Sequence, residues 1–409
     1  MVKVEKIIPG GQALGTLNDG RKIFFWNALP GETVTEYNIT KKKSHYLEAI
    51  ATKIENPSKF RVDPKDKCFL STSPWQIIDW NYENQLKSEL VVEIFREHQI
   101  DIEVPEVFTD NKSYYYRNKM EYALFWDNEL NKIRLAFHSR GSHRKIPINQ
   151  SSIERPEIFK AAQDIIDKLN ASNDEARKYQ SMLLRCNQDG KISGGLYENR
   201  KPHPKFDNLT DKILGYDYSY SPNGFFQINL PVYELALKEI KKHTNTNEVL
   251  DLYAGVGTIG LSVARDKKLT LVECDKFAFG ELCANIAIED ISRPTGSELA
   301  RSPVTTGATK RVRKGDIVTE LAKSEEALNY IAPDQTVILD PPRAGCDKKL
   351  VDKLLEVTPQ KIIYLSCNPA TQARDVKLLL EKYKIENVKT FNFFPRTPHI
   401  ENLVILSLK

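Results

Sequence analysis

The sequence lacks the features of a membrane or secreted protein. No apolar run is long enough to span a lipid bilayer, and the N-terminal segment MVKVEKIIPGG lacks the apolar region of a signal peptide. The six cysteines, at positions 68, 186, 274, 283, 346 and 367, form neither a CxxC pair nor a disulfide framework. These absences predict a cytoplasmic protein without membrane contact, in a reducing compartment.

A strong net charge is absent too. With 59 basic and 55 acidic residues the formal net charge is +4, which permits a nucleic-acid partner without indicating one. Basic residues do cluster at Lys41–Lys43 and over Ser113–Pro147, where Arg117 and Lys119 lie among aromatic strand formers. Such clusters are typical of RNA-contacting surfaces, and a solvated basic face has the same pattern.

The length of the chain and the periodicity of its apolar residues predict three units. Residues 1–58 alternate apolar and polar positions between glycine turns, which predicts a small β-barrel. Residues 59–219 predict a central α/β region, with a packing helix over residues 81–98. From residue 220 onward strands and helices alternate, which predicts a doubly wound, Rossmann-like α/β sheet, interrupted by a long mobile loop over residues 292–314.

Two segments of this last unit predict a nucleotide-like ligand. Gly255, Gly257 and Gly260 form a G-x-G-x-x-G loop after a strand, and the next strand ends in Glu273, which is placed to accept hydrogen bonds from ribose hydroxyls. This spacing fits NAD, FAD or S-adenosylmethionine. A later strand ends in Asp340 of DPPR, and many nucleobase methyltransferases carry such a segment, so a methyl donor is favoured.

The segment KIIYLSCNPATQARD predicts a strand, a tight turn and a helix. Asn368 suits the N-cap of that helix and Pro369 its first position. Cys367 therefore lies beside a helix N-terminus, where unpaired amides favour the thiolate, the nucleophilic form. The alternative is that Cys367 is a small core residue.

Motifs along the chain can be compared with those of known families. They are DLYAGVGTIG (Asp251–Gly260), DPPRAG (Asp340–Gly345), SCNPATQARD (Ser366–Asp375), FPRTPHIEN (Phe394–Asn402), SPNGFFQIN (Ser221–Asn229) and YRNKMEYAL (Tyr116–Leu124). Together these motifs resemble the RNA uracil-C5 methyltransferases, which make 5-methyluridine in tRNA or large-subunit rRNA. The N-terminal segment with Pro30–Glu32 also looks like a TRAM domain.

The resemblance implies three catalytic residues, Cys367, Glu401 and Asp340. Cys367 would add to uracil C6, and Glu401 would remove the C5 proton after methyl transfer. Phe225 or Phe226 would stack on the target base, and Arg117 and Lys119 would contact the RNA. The implied S-adenosylmethionine residues are Gln227, Tyr253, Gly255, Gly257, Thr258, Glu273, Asp316 and Asp340.

One feature departs from many members of the family, which hold a [4Fe–4S] cluster with four cysteines. Cys68 remains, but Ser71 and Ser73 stand where cysteines would, and the segment Asn149–Ser152 lacks the fourth. One thiolate cannot hold a cluster. The sequence therefore predicts no iron–sulfur cluster.

The predicted function is S-adenosylmethionine-dependent methylation of uridine C5 in RNA by a monomeric enzyme. Because tRNA-directed bacterial relatives often lack the barrel, 23S rRNA is the predicted target, and a tRNA loop is the alternative. Two alternatives come from other classes. One is a non-catalytic RNA-binding protein with a degenerate methyltransferase domain, and the other is a nicotinamide oxidoreductase.

Overall fold

A computed structural model describes residues 1–103, 105–172, 178–198, 201–203, 206–288 and 311–409. The predicted loop over residues 292–314 lies outside the described residues as far as residue 310. Its last residues, Arg311–Lys314, form a strand instead. The prediction of a continuous loop is therefore wrong at this end.

The N-terminal strands close into a barrel, as the alternation of apolar residues predicts. The strands are β1 (Val2–Ile7), β2 (Ala13–Thr16), β3 (Lys22–Trp26), β4 (Thr33–Lys42) and β5 (Tyr46–Glu55). Their hydrogen-bonded order is β1-β2-β3-β5-β4. Alternate side chains, among them Val34, Ala49 and Ala51, are buried and form the barrel core because successive residues of a strand point to opposite faces.

Two helices follow the barrel, α1 (Phe69–Thr72) and α2 (Trp80–Glu97), with a 3₁₀ turn over Pro74–Ile77 between them. The carboxylate of Asp79 caps α2 by accepting hydrogen bonds from two backbone N–H groups of its first turn. The predicted packing helix is confirmed. Its buried apolar residues are Leu86, Leu90, Val91, Ile94 and Phe95.

The central region contains an antiparallel sheet covered on one face by a helix. Its elements are β7 (Lys119–Asp127), β8 (Lys132–His138), β9 (Lys145–Pro147), α3 (Pro156–Ala171), β10 (Tyr179–Cys186), β11 (Ile192–Glu198) and β12 (Lys201–His203). The strand order is β12-β11-β10-β7-β8-β9. Before it comes the short strand β6 (Val107–Phe108), and after it the hairpin of β13 (Leu209–Ile213) and β14 (Tyr216–Tyr220).

The C-terminal half alternates helices and strands around one large sheet, and the predicted Rossmann-like fold is confirmed. Two 3₁₀ turns, Ser324–Glu326 and Leu328–Tyr330, precede the strand Gln335–Leu339. The elements are α4 (Leu230–His243), β15 (Glu248–Asp251), α5 (Thr258–Val263), β16 (Lys268–Glu273), α6 (Lys276–Ile288), β17 (Arg311–Lys314), β18 (Ile317–Leu321), β19 (Gln335–Leu339), α7 (Lys348–Val357), β20 (Lys361–Ser366), α8 (Pro369–Leu379), β21 (Tyr383–Phe391) and β22 (Glu401–Leu408).

The strand order of this sheet places the ligand crevice. The order is β17-β18-β16-β15-β19-β20-β22-β21-β6, and β18, β16, β15, β19 and β20 run parallel. The chain builds outward from β15 through β16 and β18, then returns to the other side of β15 with β19. In such sheets a ligand binds outside the carboxyl ends of the strands at this reversal.

One strand of the predicted central region also joins this sheet, since β6 pairs with β21 at its edge. The domain boundaries after residues 58 and 219 stay predictions. Among the described residues, no helix has the length and apolar character needed to cross a membrane.

A buried ionic network joins α2 to the turn that precedes β22. Glu83 and Lys87 have no exposed side-chain surface, and their charged groups are 3.3 Å apart. The Lys87 ammonium donates to Asn392 Oδ1 at 2.6 Å and to the Phe394 carbonyl at 3.1 Å. Glu83 in turn accepts the backbone N–H of Arg396 at 2.9 Å. The turn leading to Glu401 is therefore held by charges on α2.

We expect Lys87→Met to lower the free energy of unfolding by about 3–5 kcal/mol, because it removes one of the two cations that face the buried Glu83 carboxylate and leaves only Arg396, at 3.6 Å. Urea denaturation monitored by circular dichroism measures this change. Lys6→Met is the matched control, since Lys6 pairs with Glu93 of the same helix at an exposed site, and it should cost less than about 1 kcal/mol. An unchanged midpoint for Lys87→Met would contradict a structural role for the network.

Candidate active site

A cavity of about 600 Å³ lies outside the carboxyl ends of β15, β16 and β19, at the reversal of strand order. One wall is the Ser221–Gln227 loop and another is the start of α6. The predicted cofactor residues that line the cavity are Gln227, Tyr253, Gly255, Thr258, Glu273 and Asp340.

Hydrogen bonds from side chains shape the glycine loop of this cavity. Gly255 and Gly257 have φ of +55° and +92°, which a residue with a side chain rarely adopts. Glu273 Oε2 accepts the Gly255 N–H at 2.7 Å, and Asp251 Oδ2 accepts the Gly260 N–H at 3.0 Å. Gly257 shapes the loop rather than lining it, because an added Cβ would lie 2.6 Å from Leu282 Cδ1.

The cavity wall is acidic. Four carboxyl groups line it and, among its described lining residues, there is no lysine, arginine or histidine. Burial raises the pKa of Asp340 and of Glu281 to about 7 each. A positively charged ligand would stabilise the ionised carboxylates, whereas a pyrophosphate would find no cation to pair with. The acidic residues are Glu273, Asp275, Glu281 and Asp340.

Asp316 lies away from this cavity, which corrects the sequence prediction for it. It precedes β18, and its carbonyl accepts the N–H of Leu269 at the start of β16. Glu273, which lines the cavity, is at the other end of β16. Ser324, beyond the carboxyl end of β18, is the residue that reaches the site from this strand, because its hydroxyl donates to Tyr253 Oη at 2.9 Å.

The strand, turn and helix around Cys367 are confirmed. Cys367 follows β20, and Asn368 caps α8 by accepting the Ala370 N–H at 3.3 Å. The Asn368 amide also donates to the Arg343 carbonyl at 2.8 Å. This bond joins the turn that carries Cys367 to the DPPR segment that carries Asp340.

The protonation of Cys367 differs from the sequence prediction. Burial, together with the neighbouring Glu401 and Asp340 carboxyl groups, raises the pKa of the thiol to about 11, although the Arg343 guanidinium opposes this shift. The position beside a helix N-terminus does not outweigh these effects. The expectation that the local site favours the thiolate is therefore wrong for the free protein.

Glu401 begins β22 and is buried, with 5% of its surface exposed. Burial, and then the negative charge of Asp340, raise its pKa well above the usual value, and Arg343 opposes them. A carboxylate with a raised pKa is a stronger base when ionised. The structure thus brings the three predicted catalytic residues, Cys367, Glu401 and Asp340, into one electrostatically coupled group.

The two phenylalanines predicted to stack on a base have different surroundings. Phe225 is 76% exposed at the cavity mouth. Phe226 is 4% exposed and stacks on Tyr220 with 3.8 Å between ring centroids. Phe226 therefore belongs to the core, and Phe225 alone remains available to a base.

The side chains of Arg117 and Lys119, which were predicted to contact RNA, donate hydrogen bonds within the protein. Arg117 Nε donates to the Lys119 carbonyl at 2.9 Å. The Lys119 ammonium donates to the carbonyls of Asn223 and Gly224, both at 3.3 Å. Lys119 thus contacts the loop that forms the cavity wall.

Around Cys68, polar side chains bond to one another. Asp66 Oδ2 accepts hydrogen bonds from the Ser152 hydroxyl at 2.7 Å and from Gln76 Nε2 at 2.8 Å, and the same Gln76 amide donates to Ser73 at 2.7 Å. Within the described ranges, no three His, Cys, Asp or Glu side chains are grouped to hold a metal ion. The prediction that no cluster is bound stays a prediction.

Several residues of the site were missed by the sequence analysis. Arg343 follows Asp340 by three residues in DPPR, so this motif could have pointed to Arg343 as a residue of the site. Asp275 and Glu281 line the cavity from the α6 side, and Ser324 meets Tyr253. No local pattern marks these three, because their proximity results from strand pairing.

Comparisons with known proteins agree with this geometry. The model of the tRNA (Uracil-5-)-methyltransferase family matches residues 207–409. Over these residues, the chain is similar to that family. The protein is an S-adenosylmethionine-dependent RNA methyltransferase.

Relatives of this methyltransferase extend over the whole chain. An uncharacterized RNA methyltransferase of Enterococcus faecalis is 28% identical and covers 100% of this chain and 97% of its own. Another, of Prochlorococcus marinus, is 28% identical over 92% of this chain and 99% of its own. The tRNA (uracil-54, C5)-methyltransferase of Pyrococcus abyssi, solved with S-adenosyl-L-homocysteine, shares the fold, with a TM-score of 0.73, 22% identity and coverage of 99% and 100%.

The raised pKa of Cys367 in this methyltransferase predicts slow alkylation at neutral pH. Only the thiolate reacts, so the rate constant for iodoacetamide should rise about tenfold per pH unit from pH 7 toward the pKa of about 11. Peptide mass spectrometry at several pH values, in the absence of RNA, measures this rate for Cys367 alone. A rate that levels off below pH 8 would show that the helix N-terminus controls the thiol after all.

Proposed function

We propose that this methyltransferase transfers a methyl group from S-adenosylmethionine to C5 of a uridine in RNA. The observation that carries the proposal is the meeting of a thiol, Cys367, with two buried carboxyl groups, Glu401 and Asp340, beside an acidic cofactor cavity. Uracil C5 is a poor nucleophile until another group adds to C6, and a thiolate is suited to that addition.

The cavity residues suit a cationic methyl donor. Glu273, whose carboxylate already accepts the N–H groups of Gly255 and Asp275, retains lone pairs for ribose hydroxyls. Asp340 would lie near the positive charge, which would lower the free energy of its ionised form. S-adenosylmethionine supplies an activated methyl group on a sulfonium centre. Gln227, Tyr253, Gly255 and Thr258 would complete its binding site.

The residues of this chain then account for each bond that changes. Cys367 loses its proton to solvent, and Sγ bonds to C6 while the C5–C6 π electrons move to C5 and the C4 carbonyl as an enolate. C5 would take the methyl group from the sulfonium, whose S–CH3 bond breaks with its electron pair staying on sulfur, so that S-adenosylhomocysteine leaves. The Glu401 carboxylate removes the C5 proton, the electron pair of that C–H bond re-forms C5=C6, and the C6–Sγ bond breaks to release the thiolate.

The same acidic cavity weighs against the nicotinamide alternative. A dinucleotide would place its pyrophosphate among carboxyl groups with no lining cation. The non-catalytic alternative would leave the coupled group of Cys367, Glu401 and Asp340 without a function.

The class of RNA is the finer part of the proposal. The preference for 23S rRNA depended on the presence of the N-terminal barrel. The Pyrococcus abyssi enzyme, which acts on tRNA by its printed name, aligns with 99% of this chain, barrel included. The barrel therefore does not separate rRNA from tRNA, and both remain in the proposal as targets that one experiment distinguishes.

Incubation with tritiated S-adenosylmethionine and separate unmodified tRNA and rRNA pools should label one pool, with the label at uridine C5 after nuclease digestion and chromatography. Label in rRNA would support the original prediction, and label in tRNA would support the alternative. RNA binding without any label would favour the non-catalytic reading. Label on a base other than uracil would overturn the proposed function.

Glu401→Gln should accumulate a covalent protein–RNA adduct that survives denaturing electrophoresis, because methyl transfer proceeds while removal of the C5 proton stops. Cys367→Ala should form no adduct and transfer no methyl group. Glu356→Gln and Cys283→Ala are matched controls away from the site and should turn over like the unchanged protein. Free turnover by Glu401→Gln would remove Glu401 from the base role, and methylation by Cys367→Ala would eliminate the covalent mechanism.

A further inference from the structure

The Ser221–Gln227 loop forms a wall of the cofactor cavity, and its residues 223–227 all line that cavity. The loop is neither helix nor strand. Within it, the Gly224 N–H donates a hydrogen bond to the Ser221 carbonyl at 3.1 Å. Its conformation therefore depends on partners outside the loop.

Two cationic side chains of the central sheet donate hydrogen bonds to carbonyl groups of this loop. Arg185 on β10 donates to the carbonyls of Gly224 at 3.2 Å and Phe226 at 2.5 Å. Lys119 at the start of β7 donates to Gly224 as well. Lys119 and Arg185 are paired residues of adjacent strands, so their cations lie side by side.

Two further carbonyls of the loop are bound from the same side. Lys119 also reaches the Asn223 carbonyl, and the Asn118 amide donates to the Gln227 carbonyl at 3.0 Å. From the opposite side, the Glu281 carboxylate on α6 accepts the Ser221 N–H at the start of the loop. The loop is thus clamped between the central sheet and the catalytic sheet.

Arg185 is an unusual residue to bury for structural reasons alone. Its side chain has no exposed surface, and no carboxylate among the described residues hydrogen-bonds to it. The guanidinium carbon lies 5.1 Å from the Tyr220 ring centroid and 5.7 Å from that of Phe226. A buried cation is costly unless its donors find acceptors. Nη1 and Nη2 of Arg185 find theirs in the loop, whereas the buried Nε has no hydrogen-bond partner among the described residues.

We propose that Arg185 is a positioning residue for cofactor binding. By holding two carbonyls that are two residues apart, its planar guanidinium sets the backbone from which Gln227 faces the cavity. A lysine has one ammonium and cannot reproduce this two-pronged geometry. The inference rests on the proposed role of Gln227 in binding S-adenosylmethionine.

Arg185→Met tests the inference through the Kd of S-adenosylmethionine, measured by isothermal titration calorimetry on the full chain. We expect the Kd to rise at least tenfold for Arg185→Met and less for Arg185→Lys, with a melting temperature that stays close to that of the unchanged protein. Arg134→Met, on β8 of the same sheet and bonded to Asp127 and Asn149, is the matched control and should leave the Kd unchanged. Should Arg185→Met fail to fold, the Arg185→Lys protein carries the test.

A double-mutant cycle separates positioning from general destabilisation. If Arg185 acts through Gln227, then Arg185→Met should weaken binding less than twofold further in a Gln227→Ala background. Fully additive losses, or an unchanged Kd with a lowered melting temperature, would overturn the inference. If the unchanged protein does not bind S-adenosylmethionine, the proposed function fails; if it binds and Arg185→Met binds equally well, the positioning role alone fails.

Discussion

The pairing of parallel strands around β15 is the constraint on which this site depends. Because β15, β16, β19 and β20 are parallel, their carboxyl ends share one edge of the sheet. At this edge lie the glycine loop after β15, Glu273 at the end of β16, the DPPR turn after β19 and the Cys367 turn after β20. A shift of one residue in any register would turn the end of that strand to the opposite face. Backbone hydrogen bonds between the strands therefore set where the reactive groups lie along this edge.

Glu401 reaches this edge by a different route. β22 is antiparallel to β20, and Ser366 pairs with Asn402, so the amino end of β22 lies beside the carboxyl end of β20. A buried glutamate at the start of one strand thus meets a thiol just past the end of its neighbour. The turn that feeds β22 is held by Lys87 and Glu83 of α2, which couples the packing of a helix far along the sequence to the position of Glu401.

Burial and nearby negative charge set the protonation of the groups at this edge. Burial is the largest cause of the raised pKa of Asp340, Glu401 and the Cys367 thiol. The nearby negative charge comes from Asp251 for Asp340, from Asp340 for Glu401, and from both Glu401 and Asp340 for Cys367. Such a group binds protons until a cation arrives or the pH rises. The acidic cavity is consequently matched to a sulfonium donor, whose charge disappears when the methyl group leaves.

Local sequence determined a large part of this protein. Apolar alternation predicted the barrel, the strand and helix alternation predicted the catalytic sheet, and the caps around Asn368 and Pro369 predicted the turn that carries Cys367. These features follow from residues close together in the chain, where propensity and capping act. The loop over residues 292–314 was wrong at its end because the strand at residues 311–314 takes its pairing from β18.

Tertiary structure decided the rest. The pKa of Cys367 depends on Glu401 and Asp340, the core position of Phe226 on Tyr220, and the direction of Lys119 on a loop about a hundred residues away. Asp316 was misplaced because the motif alone does not show which end of a strand a residue occupies. Sequence therefore determined which reactive groups exist and what local structure bears them, whereas only the fold decided their neighbours, since burial and electrostatic interaction are set by distance in space.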